Sequence, residues 1–204
     1  MAIGDSDVSI CNDALLLLGA EGITSFTDGT TAGSLCNSFY SRVKNLTLSM
    51  YPWSFSLAKQ ELTQDSGSPA TEWTYQYLLP GDLITHVPRA VFTSSAAGAA
   101  QFKDWDISGQ YLMTDATTIF IDYQKDVAEA SLPAYFVQLL IYQMTWHLAE
   151  PVTDQTTKGD YWRAIALGNP SENGRGGYFR QAANIDGSGQ TPNFINDYPL
   201  TAVR

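Results

Sequence analysis

Between residues 134 and 148 the chain is apolar on nearly every face of a helix. Tyr135, Phe136, Leu139, Leu140, Tyr142, Met144, Trp146 and Leu148 fall all round the turn. Such a helix must be covered on all sides, at the centre of a bundle or against another subunit. A membrane does not offer the cover. Gln138, Gln143 and His147 interrupt the stretch, which falls short of the roughly 18 apolar residues that a span needs. Pro133 is placed to start this helix, and Pro151 is expected to stop it near Glu150.

Candidate covering helices stand at both ends of the chain. Asp5, Ser6 and Asp7 offer N-caps for a helix over residues 8–18 that ends at Gly19. Cys11, Ala14, Leu15 and Leu18 make one face, and Ile10, Leu16 and Leu17 a second, so cover on most sides is expected. A second helix is expected over 32–50. Its stripe is Leu35, Phe39, Val43, Leu46 and Met50, with Arg42, Lys44 and Asn45 off it. A further helix is expected over 155–167, capped by Val152-Thr153-Asp154.

In between, the period changes to two. Residues 53–57, 73–78 and 119–123 alternate as strands do, 84–92 is broken by Pro88, and Ser108-Gly109 reads as a hairpin turn between 101–107 and 111–113. The fold class expected is therefore α+β, a helical bundle built from both ends of the chain with an inserted small antiparallel β unit. Residues 1–50 and 129–168 form the two halves of the bundle, and 51–128 the β unit.

Residues 169–204 differ in kind. Gly174, Gly176, Gly177, Gly187, Gly189, Pro192 and Pro199 leave no period, so an extended C-terminal arm is expected. It carries three arginines against three acids, while the body bears the whole net charge of −10. A neutral segment with aromatic anchors reads as one that orders on a partner. Tyr178, Phe179, Arg180, Phe194 and Tyr198 are its candidate partner-binding residues.

Sites of chemistry are hard to find. There is no phosphate-binding loop, and Gly174-Arg175-Gly176-Gly177 is expected to follow no strand and to open no helix. The two histidines are His86 and His147. His147 and Glu150 stand at i, i+3, a spacing open to metal binding but common in bundles. Asp104, Asp106, Asp115 and Asp122 fall near strands and turns, where solvent-facing acids are ordinary. Cys11 and Cys36 read as two buried free thiols, although helices that pack together would permit a disulfide. No catalytic residue, metal or cofactor is expected, and the chain reads as a structural protein rather than an enzyme. The acidic charge disfavours a broad nucleic-acid-binding surface and suits a wall that DNA slides past. Charged residues are only 16% of the chain and aromatics 12%, which suggests surface buried against neighbours. The N-terminus shows no signal-type run, so a protein of the cell interior, or of a particle assembled there, is expected.

Five segments in order resemble the tail tubular protein A family of short-tailed bacteriophages. They are residues 10–20 (ICNDALLLLGA) with 23–29, and 35–40 (LCNSFY) leading to 51–55 (YPWSF) and Ala58. Then come 73–82 (WTYQYLLPGD), and 109–115 (GQYLMTD) with 121–123 (IDY). The last is 133–136 (PAYF) with 148–153 (LAEPVT). The resemblance spans about residues 10–154 and departs from the family pattern after about Leu167. It implies a head-to-tail adaptor in the virion tail, assembled in the host cytoplasm as a homo-oligomeric ring, commonly a dodecamer. The ring would continue the DNA channel between portal protein and tail nozzle protein, sometimes with tail fibres attached, and without a membrane. The alternatives are another phage connector, such as a stopper or tail-completion protein, or a carbohydrate- or peptide-binding module that stacks ligand on Trp73, Tyr75 and Trp105.

Overall fold

The computed structural model describes residues 6–67, 69 and 71–189. Helix α1 (Asp7–Leu18) opens on a reciprocal cap between Ser6 and Ser9 and closes on Gly19 in the left-handed conformation, φ 75°. Helix α2 (Thr31–Ser49) starts at Thr30, whose hydroxyl accepts from Gly33 N. Helix α3 (Ala134–Thr153) is the apolar one. It packs against α1, α2, α4 (Thr156–Leu167) and α5 (Gly177–Gly187). Phe136, Leu139, Leu140, Met144 and Leu148 are fully enclosed, as their all-round pattern requires.

The inserted unit contains six short strands: β1 (Leu57–Glu61), β2 (Tyr75–Leu78), β3 (Ala90–Phe92), β4 (Trp105–Ser108), β5 (Tyr111–Thr114) and β6 (Phe120–Gln124). They make two antiparallel three-stranded sheets, in the orders β1-β6-β3 and β2-β5-β4. Gly109, at φ 59°, turns the β4–β5 hairpin. Leu62, Tyr77, Val91, Leu112, Ile119, Ile121 and Tyr123 form a core distinct from that of the bundle. The chain is thus α+β, a bundle from both ends with an inserted antiparallel unit.

Polar bonds tie the two cores. Gln124, at the end of β6, is buried, and its amide donates to the carbonyls of Leu48 (2.7 Å) and Tyr51 (2.9 Å) at the end of α2. Lys44 is only 5% exposed, because its ammonium lies 3.0 Å from Glu129 and 2.9 Å from Asp126 in the segment that returns to the bundle. A buried ammonium is tolerated when it is paired in this way. Burial opposes ionisation of Glu129, but the hydrogen bond and charge of Lys44 hold its carboxyl below the ordinary value.

Four expectations are corrected. The buried face of α2 runs through Cys36, Tyr40, Val43, Lys44 and Thr47, while Leu46 is exposed. Of the expected stripe, Val43 is buried and Leu35, Phe39 and Met50 pack partly buried on the core, so the departures are Leu46 outside and the paired Lys44 inside. The alternation at residues 53–57 is a 3-10 turn (Ser54–Ser56), with Trp53 buried in the bundle core and the strand beginning only at Leu57. Helix α3 runs through Pro151 to Thr153. In the last turn proline forfeits one hydrogen bond, and Asp154 caps the end in the left-handed conformation. The expected extended arm is, over Gly177–Gly187, a helix packed on α3 and α4. Residues 190–204 of that arm, with Phe194 and Tyr198, lie outside the described residues.

Trp53→Ala should destabilise the fold by about 3–5 kcal/mol through lost burial and a residual cavity, read as a lower urea midpoint. Glu129→Gln should cost about 1.5–3 kcal/mol. Its contribution is present above the ordinary carboxyl pKa and lost as pH falls through the lowered value, so the variant's acid unfolding should start from a flatter profile.

Candidate functional site

The glycine-rich stretch before α5 is a close-packed turn. Glu172 accepts from Asn169 N at 3.0 Å and from the Arg180 guanidinium at 2.6 Å. Gly177 has φ 52°, and a Cβ there would stand 2.5 Å from the carbonyl oxygen of Ile165. These glycines let the end of α4 and the start of α5 touch, a role that composition alone does not distinguish from that of a linker.

Helix α5 then seats its buried face, Phe179, Ala182 and Asp186, on the bundle. Phe179 is 4% exposed and meets Trp53 edge-on at 5.9 Å and Tyr51 at 6.4 Å. Tyr178 meets Tyr142 edge-on at 5.4 Å. Asp186 is the polar anchor. It accepts from Ser54 N (2.9 Å), the Ser54 hydroxyl (2.6 Å) and the Tyr135 hydroxyl (2.5 Å). Burial, and then the bond to Asp186, push the Tyr135 phenol well above its ordinary pKa. Of the five candidate partner-binding residues, then, Tyr178, Phe179 and Arg180 all make contacts within their own chain. Phe194 and Tyr198 are outside the described residues.

Of the residues considered for chemistry, His147 and Glu150 line one groove of about 700 Å³ with Phe39, Trp146, Thr156 and Asp160. Among the described residues, no group of three His, Cys, Asp or Glu side chains is placed to hold a metal ion. His147 stacks between Phe39 (6.2 Å) and Trp146 (4.2 Å), and its buried Nε2 has no hydrogen-bond partner. Burial, and then the nearby Arg42 charge, lower its pKa. Cys11 and Cys36 are free and fully buried. The neighbouring Cys36 thiol and burial push the Cys11 thiol up, which suits packing rather than nucleophilic attack. Asp115 is held below the ordinary carboxyl value by bonds from Thr74, a turn-stabilising role. Trp73, Tyr75 and Trp105 are each half-buried, and Tyr75 and Trp105 pack on the β core. No described helix is long and apolar enough to cross a membrane.

What the surface does offer is uncovered apolar area. Leu16 is 65% and Leu17 42% exposed on α1, although cover was expected there. They stand three and four residues from exposed Asp13, so the three share a face, beside Gln138 and Ile141 of α3. On the β unit, a groove of about 470 Å³ is lined by Leu57, Lys59, Arg89, Ala90 and Asp122, among others. Leu46, Leu78, Val87 and Tyr161 are also exposed. Of the two apolar faces of α1, the bundle is filled by the first and leaves the leucines of the second open.

Comparison with protein-family models and with curated proteins finds no match for this chain.

Asp186→Ala should release α5, because it strands the Ser54 amide and the Tyr135 hydroxyl; a loss on the order of 3 kcal/mol and faster amide exchange in α5 are expected. His147 makes a separate prediction. Its folded pKa lies below the ordinary 6.5, so the unfolded chain takes up the proton first and stability falls as pH drops below that value. Thermal melts between neutral pH and about 5 should show this slope, and His147→Phe should flatten it.

Proposed function

We propose that this chain is a structural subunit of a head-to-tail adaptor, one copy in a ring that continues a DNA channel between the portal and the tail nozzle of a short-tailed phage. The observation that carries the reading is the exposed apolar surface of a chain whose own cores are already filled. Leu16 and Leu17 on the bundle and Leu57 and Leu78 on the β unit lie open. Surface of that kind is normally covered by association. The ordered sequence resemblance over residues 10–154 supplies the kind of assembly. The α+β architecture, with its bundle drawn from both ends of the chain, agrees with what that resemblance implies. The acidic charge of −10 suits a wall that repels the phosphate backbone rather than binding it.

Within this reading, the segment after α5 is the docking device toward the portal or an adjacent subunit, with Phe194 and Tyr198 as anchors. Helix α5 is its mount.

Electron microscopy of the purified protein, with and without portal, tests the proposal. Rings with a hole on about the 20 Å scale of a DNA duplex are expected at least on the portal, and their absence from both samples would overturn the reading. Truncation after Gly189 keeps Phe179 and Asp186 in place and removes Phe194 and Tyr198. Binding to portal should then be lost; unchanged binding sinks the docking role of that segment.

A further inference from the structure

The two apolar surfaces that stand out differ in the charge of their borders. Leu16 and Leu17 are 65% and 42% exposed on α1 and line a shallow depression with Gln138 and Ile141 of α3. The charged residue on their face is Asp13. Helix α1 contains Asp7 and Asp13 and no basic residue, and Glu21 follows it. The groove on the outer face of the β1-β6-β3 sheet is the reverse. Leu57 and Ala90 supply apolar lining, and Lys59 and Arg89 supply positive charge. Lys59 is 3.7 Å from Asp122 and lies 4.2 Å above the Phe92 ring. Arg89 is exposed and has no ion-pair partner among the described residues.

We infer that the Leu16–Leu17 patch of one copy packs on the Leu57–Ala90 groove of the next, with Asp13 facing Arg89 across the contact. This rests on the proposed ring and names its subunit contact. The occupant is a second copy because one chain carries both halves, an apolar patch with an acidic border and an apolar groove with a free arginine. The patch belongs to the bundle and the groove to the β unit, so the contact joins unlike surfaces. Contacts of that type run head to tail from copy to copy and close into a ring when the rotation permits. The charged border sets orientation, while burial of the leucines supplies the attraction.

Sedimentation velocity of the full chain over a concentration series tests the contact. Asp13 and Arg89 are exposed, so monomer melting should be unchanged in the two charge reversals, which separates association from folding, while the double serine variant is read beside its own melting curve because Leu17 is more than half buried. The wild-type chain should self-associate. Asp13→Arg and Arg89→Asp should each weaken association by about tenfold, and the double reversal should restore it. Leu16→Ser with Leu17→Ser should abolish it. A chain that stays monomeric throughout overturns the inference, as does weakening by both reversals without rescue. The two readings fail separately. Rings on the portal that are indifferent to these substitutions remove this contact and leave the adaptor, whereas absence of rings in every sample removes the adaptor itself.

Discussion

The Trp53 indole is where three distant parts of the chain close on one another. Its ring is fully buried and lies 5.3 Å from Phe136 of α3, 5.9 Å from Phe179 of α5 and 5.0 Å from Tyr51 at the end of the first bundle half. Its N–H donates to Thr47 O at 3.1 Å, so the one polar atom is satisfied while the rings pack edge to face. The next residues form the turn that leads into β1. Trp53 therefore fixes the exit of the β unit from the bundle as well as the bundle core. Without it, α5 has no floor and β1 no fixed starting direction.

Around that apolar hub, three long-range joins are polar. Gln124 holds the return of β6 to the end of α2, Lys44 holds the segment at Asp126 and Glu129, and Asp186 holds α5 to Ser54 and Tyr135. Hydrophobic contact is non-directional and tolerates sliding. Buried hydrogen bonds and ion pairs have one satisfied geometry and are costly to leave unmade. The leucines cover area, and these three side chains set how the halves of the bundle and the insert meet.

The same division explains what was legible in the sequence. Caps and apolar periods announced α1, α3 and the β4–β5 hairpin, because burial there is done by apolar residues. Helix α5 was hidden because Asp186 occupies one of its three buried positions and its first turn begins with a glycine run. The face of α2 was partly misplaced for a similar reason, since Lys44 is inside and Leu46 outside. Trp53 and Phe55 mimic a strand because both pack on the bundle core, Trp53 just ahead of the 3-10 turn and Phe55 within it, and three residues are too few to show that turn's own period. As for the candidate site, composition flagged Tyr178, Phe179 and Arg180 but could not show that their partners lie in the same chain. Leu16 and Leu17 read as a second face to be covered, and the bundle, already filled by the first face of α1, leaves them open.

The bond between Ser54 and Asp186 spans 132 residues. During synthesis, the floor on which α5 rests is made long before α5 exists, and the seal over Trp53 cannot form until residue 186 has cleared the ribosome. Closure of so long a loop is slow compared with helix or hairpin formation. A nascent chain thus carries an open aromatic cleft until α5 has been made.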